Sequence, residues 1–385
     1  MPNIQFSVDS ALLAELGERL IGKPFVALAE LVKNSYDADS TKVRIDLDLA
    51  KDRIVVSDNG QGMTLEEFDK FWMRVGSIHK LQQRVTRRYR RQMTGSKGVG
   101  RLAVQFLSRD LRLETVSEND LARKLVAWVN WDEAVRAGNL TQATVEYKFE
   151  TSKEGFVRGT TIILSKLKQQ WYQYDTEALA AEVWQLRPPS FGAITTPSDS
   201  AAAFDIELRS QDAEIIAQFR ERLSALEDFW WARLVGRNQN GRVNLTLEFA
   251  TDESRSVETF EMPRKTLVDG AFELRIYNLV ERKPRGIRIG EARDYLRRFG
   301  GVRVFDSGFQ LPFYGTEDSD WLGIEVEHSH RLEASKLLPA ELQERGSLSF
   351  LPTMTRILGV VRVDTTQEPE LKITITRDRL QENAA

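Results

Sequence analysis

Apolar residues recur along this chain with two different periods, and the two periods alternate. Between residues 24 and 37 the apolar positions Ala27, Leu28, Leu31 and Val32 return every three or four residues, which is the spacing of a helix with one buried face. From residue 43 to residue 49 apolar and polar residues alternate, as they do in a half-buried strand. The alternation of the two patterns predicts an α/β fold.

The same two patterns predict the remaining elements of a first domain, residues 1–165. Strands are expected at 53–57, 111–116, 124–131, 144–149 and 158–164. Thr64 and Glu67 form a Thr-x-x-Glu capping box that starts a short helix, and a glycine-rich run at 95–100 starts another. We therefore expect an α/β sandwich, in which a mostly antiparallel sheet carries helices on one of its faces.

The rest of the chain predicts a linker helix and a second α/β domain. Residues 166–190 contain aromatic positions and the helix-breaking pair Pro188-Pro189, so they are expected to form the linker. A strand at 204–209 is expected to open the second domain, 191–385. Its other predicted elements are a helix at 214–234 and strands at 243–249, 272–277, 300–305, 362–363 and 371–376.

Composition narrows the choice of function mainly by exclusion. The 385 residues, 41% of them hydrophobic, suffice for two domains, and the net charge of −3 gives no global nucleic-acid signature. Cysteine is absent, which excludes disulfides and thiolate metal sites and fits a reducing compartment. No run of about 18 apolar residues occurs, and the N-terminus lacks a basic region followed by a continuous apolar core, so no signal peptide is expected. A cytoplasmic protein without membrane contact is expected.

Three polar residues share one face of the first predicted helix. Glu30, Asn34 and Asp37 stand at positions i, i+4 and i+7. A carboxylate next to a carboxamide can serve a metal-nucleotide, because the carboxylate polarises water and the amide oxygen completes a magnesium shell. On its own, a solvated helix face explains the same triplet.

Two glycine-rich turns add further candidate chemistry. Asp58 heads the run DNGQGM after a strand, where its carboxylate can accept a hydrogen bond from an amine such as N6 of adenine. Gly60 and Gly62 let a ligand approach the backbone. The run TGSKGVGR, residues 94–101, opens a helix whose N–H groups can bind phosphate. Its spacing does not match a Walker loop.

Taken together, four motifs in fixed order resemble the GHKL ATPase superfamily, which includes gyrase B subunits, the ninety-kilodalton heat-shock chaperone, histidine kinases and MutL. They are E-x-x-x-N on a helix, D-x-G-x-G-M after a strand, G-x-x-G-x-G before a helix and R-G-T-x-I-x-L in a late strand. The resemblance covers residues 12–165. It implies a Bergerat-type sandwich that binds ATP and magnesium.

The resemblance also implies roles for individual residues. It makes Glu30 the general base for the attacking water, Asn34 the magnesium ligand and Asp58 the adenine-binding carboxylate. The other implied ATP contacts are Asp37, Gly60, Gly62, Met63, Lys80, Lys97, Gly98, Val99, Gly100 and Thr160. Two alternatives stay open, because Asp37 can equally serve as a helix-terminal cap and Lys80 as a solvated lysine.

The second domain carries looser resemblances. Residues 375–381 resemble a middle-domain segment of the heat-shock chaperone in which an arginine reaches the γ-phosphate, and Arg377 is the matching position. An arginine fork suits that task because it binds two phosphate oxygens at once. Residues 301–305 and 320–322 resemble MORC-like and bacterial chaperone-like ATPases, whose second domain has a ribosomal-protein-like transducer fold.

These resemblances imply a magnesium-dependent ATPase. In this hypothesis ATP orders a basic lid at 76–94, docks Arg377 and stabilises a dimeric, clamp-like state. A prokaryotic antiviral defence module is one setting for such a protein. Two alternatives stay open, an ATP-switched regulatory or scaffold protein with little hydrolysis and a DNA-binding clamp of the MutL or MORC type. The sequence does not identify the client, which can be DNA or protein. It also does not establish whether a region beyond residue 385 is missing.

Overall fold

A computed structural model describes most of the chain, and it divides into two compact units, Met1–Trp184 with Pro197–Ile216 and Gln185–Thr196 with Ala217–Ala385. The described residues are 9–10, 24–74, 85–91, 93, 103–139, 142–168, 177, 180, 183, 204–239, 242–250, 255–263, 269–280, 287–306, 309–311, 313–315, 319–332, 352–365, 368, 370–374 and 379–381.

The described strands of the first unit form one sheet of seven. They are β1 (Lys42–Asp48), β2 (Arg53–Asp58), β3 (Ser108–Val116), β4 (Arg123–Asn130), β5 (Glu146–Thr151), β6 (Gly159–Leu167) and β7 (Asp205–Ser210). Their order is β5-β4-β3-β6-β2-β1-β7. Neighbours are antiparallel except β1 and β7, which are parallel. The mostly antiparallel α/β architecture predicted from the sequence is confirmed.

A row of buried side chains crosses this sheet and explains its register. Leu47 lies opposite Ile54, Ile54 opposite Leu164, Leu164 opposite Leu111, and Leu111 opposite Val129. All five are buried. A shift of one residue in any strand would turn its apolar side chains to the other face. The alternating pattern of the sequence therefore fixes which residues pair.

Helices cover the sheet. They are α1 (Pro24–Asp37), α2 (Leu65–Glu67), which continues as a π-helical turn (Phe68–Met73), α3 (Ala103–Leu107) and α4 (Trp131–Arg136). Helix α1 packs against α3. The predicted capping box starts α2, because the Glu67 N–H donates to Thr64 Oγ1 at 3.2 Å and the Thr64 N–H donates to the Glu67 carboxylate at 3.0 Å.

Strand β7 corrects one prediction. The stretch 204–209 was expected to open the second domain, but β7 pairs with β1, with Ile45 opposite Leu208. The Phe204 ring packs edge-on against Tyr36 at the end of α1, with 5.3 Å between ring centroids. The alternating pattern predicted the strand correctly and its sheet wrongly. The first residues assigned to the linker helix are also strand, because β6 runs to Leu167.

The second unit is built on another sheet, which also has seven described strands. They are β8 (Ala232–Gln239), β9 (Arg242–Ala250), β10 (Arg255–Pro263), β11 (Asp269–Ile276), β12 (Gly301–Asp306), β13 (Phe309–Gln310) and β14 (Ile357–Val363). The order is β10-β9-β8-β11-β14-β12-β13, with only β12 and β14 parallel. The helices are α5 (Ala213–Glu227), α6 (Ile289–Phe299) and α7 (Ile324–Leu332).

An aromatic cluster joins two of these helices. The Phe219 ring of α5 lies 6.1 Å from Tyr295 and 5.7 Å from Phe299, both on α6. Helix α5 ends at Glu227, whereas the predicted helix ran to residue 234. The last three residues of that prediction belong to β8, which begins at Ala232. Among the described residues of the predicted strand 371–376, Ile373 makes a single bridge to Leu380 instead of joining the sheet. Within the described chain, no helix is long and apolar enough to cross a membrane.

Candidate nucleotide-binding site

Helix α1 carries the predicted triplet as an inward-facing set. Glu30 and Asp37 are buried and Asn34 is half-buried. Lys33 Nζ donates to Glu30 Oε1 at 3.1 Å, and the two side chains are only 13% and 11% exposed. This ion pair holds the Glu30 carboxylate in place. Sequence reasoning missed Lys33, although opposite charges three residues apart on a helix are a recognisable signal.

Asp58 ends strand β2 and is tied to helix α1. Its Oδ2 accepts from the Ser35 hydroxyl at 2.9 Å, and its Oδ1 accepts from the N–H groups of Gly60 at 2.9 Å and Thr160 at 3.2 Å. Burial raises the pKa of Asp58 to about 6, against the opposing effect of these hydrogen bonds. At pH 7 the side chain is therefore mostly an ionised acceptor.

The turn after Asp58 admits only glycine at two positions. A Cβ on Gly60 would lie 2.7 Å from the Ala38 carbonyl oxygen at the end of α1. Gly62 has a φ of +64°, and a Cβ there would lie 1.9 Å from the Val116 carbonyl oxygen. The turn is thus pressed between α1 and the end of β3. This close packing places its backbone beside Asp58.

Two threonines lie next to Asp58, at neighbouring positions of β3 and β6. Thr115 and Thr160 face each other on β3 and β6, and their hydroxyl oxygens are 3.0 Å apart. The Met63 N–H donates to Thr115 Oγ1 at 2.9 Å. Met63 and Thr160, both predicted from motifs, are therefore joined through Thr115. Thr115 was missed because it stands at the end of an ordinary alternating strand, where no motif marks it.

Residues 85–91, here called the anchor turn, close on themselves beside the end of α1. The Thr86 N–H donates to the Arg91 carbonyl at 2.8 Å, and the Arg91 N–H donates to the Thr86 hydroxyl at 3.0 Å. Asp39 has a φ of 57°, and its carboxylate accepts from the N–H groups of Arg88 at 2.7 Å and Tyr89 at 3.2 Å. These contacts hold the turn against the loop that follows α1.

The Arg91 side chain connects the anchor turn to the end of α1 and to Phe204. Its guanidinium lies over the rings of Tyr36, Tyr89 and Phe204, at 4.6, 4.8 and 5.7 Å from their centroids. It also donates to the backbone carbonyls of Tyr36 and Ser40. A mobile lid was expected over 76–94. Over the anchor turn the structure shows a docked segment, whereas 76–84, 92 and 94 of the predicted lid lie outside the described residues.

The structure brings together the predicted residues of the first half of the site. Those placed around α1, the turn after β2 and the start of β6 are Glu30, Asn34, Asp37, Asp58, Gly60, Gly62, Met63 and Thr160. The predicted phosphate-binding and γ-phosphate residues Lys80, Lys97, Gly98, Val99, Gly100 and Arg377 lie outside the described residues. Within the described part, no group of three or more His, Cys, Asp and Glu side chains is placed to hold a metal.

Comparison with known proteins identifies the domain. Residues 23–155 match the model of the family described as histidine kinase-, DNA gyrase B- and HSP90-like ATPase. The match starts at the beginning of α1 and contains Asp58 and the anchor turn. The resemblance inferred from the motifs is confirmed for residues 23–155, which match this ATPase family.

A curated protein is similar to part of this chain. The chain is 34% identical over 101 residues to a protein of Herpetosiphon aurantiacus described as a putative type II restriction enzyme, HgiDII. The match covers 26% of this chain and 16% of that protein. The chain thus matches only a small part of the length of this relative.

Proposed function

We propose that the protein binds ATP with magnesium and hydrolyses it to ADP and phosphate. The observation that carries this proposal is the link from Asp58 to α1 through the Ser35 hydroxyl at 2.9 Å. Through this link an acceptor suited to the adenine amine is fixed to the helix that carries Glu30 and Asn34. One helix thereby sets the distance between the base-binding end of the site and its reactive end.

Each residue at the reactive end has a separate task in this proposal. Asn34 would hold magnesium together with phosphate oxygens, and the bound ion would neutralise charge on the triphosphate. Glu30 would take a proton from the attacking water, since its carboxylate is oriented by Lys33 at 3.1 Å. Gly98, Val99 and Gly100 would donate N–H groups to the phosphates, with Lys80, Lys97 and Arg377 as cationic contacts. The roles of these six residues rest on the sequence motifs alone.

Phosphate release and calorimetric ATP binding by the full chain test the proposal. Glu30→Gln should keep ATP affinity within about threefold and lower the turnover at least about 100-fold, because a positioned general base contributes 10²–10⁴-fold. Glu66→Gln, an exposed carboxylate on α2, is the matched control and should change neither quantity.

The alternatives predict other results. Wild-type turnover no faster than that of Glu30→Gln, with binding intact, would reject hydrolysis and leave an ATP-switched regulatory or scaffold protein. A wild-type protein that gives no binding heat with ATP and magnesium would remove the nucleotide site altogether.

We further propose that ATP stabilises a closed, dimeric, clamp-like state of a MORC-like or chaperone-like protein in the cytoplasm. The motif resemblances of the second domain support this proposal, and the absence of cysteine agrees with a cytoplasmic setting. A prokaryotic defence module remains the proposed context. Sedimentation of the chain with and without a non-hydrolysable ATP analogue tests the clamp, and an unchanged sedimentation coefficient would contradict it.

A DNA-binding clamp is the second candidate function. Two observations favour it, the relative described as a putative restriction enzyme and the exposed Arg87, Arg88 and Arg90 on the anchor turn. A titration with long duplex DNA at two salt concentrations, with ATP present, tests it, because phosphate contacts give a steep salt dependence. No binding at the lower salt concentration would reject it.

A further inference from the structure

Strand β5 lies at one end of the first sheet, and the side chains on both of its faces are largely exposed to solvent. Within the described residues it pairs only with β4. Tyr147 and Phe149 project on the same face of the strand, are 51% and 39% exposed, and pack edge-on with 6.0 Å between centroids. An edge strand with unpaired backbone groups and exposed aromatic side chains is a template for another strand.

The opposite face carries an ion-pair ladder that runs across three strands to this edge. Glu114 accepts from Arg112 at 2.7 Å and lies 3.2 Å from Lys124 of the next strand. Lys124 lies 2.8 Å from Glu150 of β5, and Glu150 lies 3.1 Å from Lys148. The charges alternate in sign from strand to strand. The ladder stops at the edge, where Lys148 is 55% exposed and Glu150 is 32% exposed.

We propose that β5 pairs with β5 of a second copy of this chain, antiparallel about Phe149, so that the two sheets become one. In this register the two Phe149 residues lie opposite each other. Lys148 of each copy lies opposite Glu150 of the other, which extends the alternation of charge by one strand. Tyr147 lies opposite Thr151, so five residues of each β5 take part.

Neighbouring antiparallel registers fit less well. Centring the pair on Lys148 places lysine opposite lysine and Glu146 opposite Glu150, which like charges disfavour. Centring it on Tyr147 pairs only residues 146–148 of the strand. An edge lysine normally discourages strand pairing. Here the spacing of Lys148 and Glu150 makes the edge complementary to itself about a twofold axis.

This contact goes beyond the proposed ATPase function, and it requires no nucleotide. It is therefore tested on the full chain without ATP, and its failure would leave the nucleotide proposal untouched. A single pair of edge strands is a small interface, so we expect association at roughly micromolar concentrations or above.

Cysteine cross-linking tests the register, and the cysteine-free sequence makes the readout clean. Residues opposite each other in an antiparallel pair have Cα atoms about 4.5–5.5 Å apart, which is within disulfide range. Phe149→Cys should form a disulfide-linked dimer on mild oxidation. Val157→Cys, at a position 88% exposed and outside β5, is the control and should stay monomeric. Equal cross-linking of the two variants would overturn the proposal.

Charge reversal tests the ion pairs independently. Lys148→Glu and Glu150→Lys should each raise the dimer dissociation constant about tenfold or more in sedimentation equilibrium, because each places like charges opposite one another twice. The double variant should dimerise again, and an equimolar mixture of the two single variants should form heterodimers. The proposal would be overturned if neither charge reversal changed the dimer dissociation constant, or if the wild-type chain stayed monomeric at high concentration. Circular dichroism checks that each variant folds.

Discussion

The Asp58 carboxylate is buried and also surrounded by hydrogen-bond donors, two conditions that act in opposite directions on its charge. The donors favour the ionised form and burial disfavours it, and burial prevails, since the pKa is raised to about 6. In the proposed ATP site, the Asp58 carboxylate accepts a hydrogen bond from the adenine amine and must be ionised to do so. Nucleotide recognition at this residue should therefore depend on pH in a range where an ordinary aspartate does not titrate.

We predict that the preference for ATP over purine riboside triphosphate falls about tenfold between pH 7.5 and pH 5. At pH 5 about one Asp58 in ten is ionised if its pKa is about 6. The analogue lacks only the N6 amine, so the titration of its phosphates matches that of ATP. Calorimetric affinities for both nucleotides across this range give the ratio. A ratio that is constant with pH would contradict the role of Asp58.

We predict a large difference between two alanine substitutions at left-handed glycines. Gly62→Ala brings a Cβ to 1.9 Å from the Val116 carbonyl oxygen, whereas a Cβ on Gly138, at a φ of +75°, meets nothing within 4 Å. Gly138→Ala should cost about 1–2 kcal/mol of unfolding free energy, the strain of the backbone alone. Gly62→Ala should cost more than about 4 kcal/mol and abolish ATP binding. Urea unfolding and calorimetry measure the two effects, and equal costs would contradict the close packing of the turn.

Among the larger elements, the anchor turn depends on one buried cation. Arg91 is only 8% exposed. Its guanidinium donates hydrogen bonds to the carbonyls of Tyr36 and Ser40 and lies over three aromatic rings. Arg91→Ala leaves those carbonyls without this donor. We predict a loss of about 2–4 kcal/mol in the free energy of urea unfolding. Arg91→Lys should lie in between, because lysine keeps the charge and loses the planar fork.

A neighbouring arginine provides the control for this prediction. Arg88 belongs to the same turn, but its side chain is exposed and lies over the ring of the adjacent Tyr89, at 5.3 Å from the centroid, while its backbone N–H donates to Asp39. Arg88→Ala should therefore stay within about 0.5 kcal/mol of the wild type. If Arg91→Ala is as stable as Arg88→Ala, the guanidinium does not hold the turn.

The sequence predicts local elements well because their signals lie within a few residues of each other. The pattern around α1, the capping box at Thr64 and the glycine turn after Asp58 all have such signals. Strand β7 and Arg91 do not. Alternation identifies β7 as a strand, but its partner β1 lies far away in the sequence, with Leu208 opposite Ile45. Arg91 reads as one arginine in a basic run, and only the fold brings its three aromatic rings together.

The pH dependence of stability is a property of the whole molecule, because each unit contains a carboxyl group with a raised pKa. In the second unit, burial raises the pKa of Glu227 to about 7, with Arg275 opposing the rise. A raised pKa stabilises the folded state at low pH, and that stability is lost as the pH rises through the folded value. For Asp58 the loss runs from its ordinary pKa of 3.8 to about 6, and for Glu227 from its ordinary pKa of 4.5 to about 7.

We predict that Glu227→Gln makes the protein relatively more stable as the pH rises. With folded and unfolded pKa values of about 7 and 4.5, the difference in unfolding free energy between variant and wild type should grow by about 2 kcal/mol from pH 5.5 to pH 8.5. Asp58 titrates in both proteins, so its contribution cancels in the difference between their unfolding free energies. Glu221→Gln, at an exposed position on the same helix, is the control. A difference that does not change with pH would contradict the burial of an ionisable Glu227.

The parallel pairing of β1 with β7 has a consequence for biosynthesis. Leu208 is made 163 residues after Ile45, its partner across the two strands. At about 5–20 residues per second, a ribosome needs roughly ten to thirty seconds to cover that distance. Throughout this interval the nascent chain exposes the hydrogen-bonding edge of β1 without its native neighbour. The sheet next to the proposed nucleotide site can be completed only after the chain has been translated as far as Ser210, the end of β7.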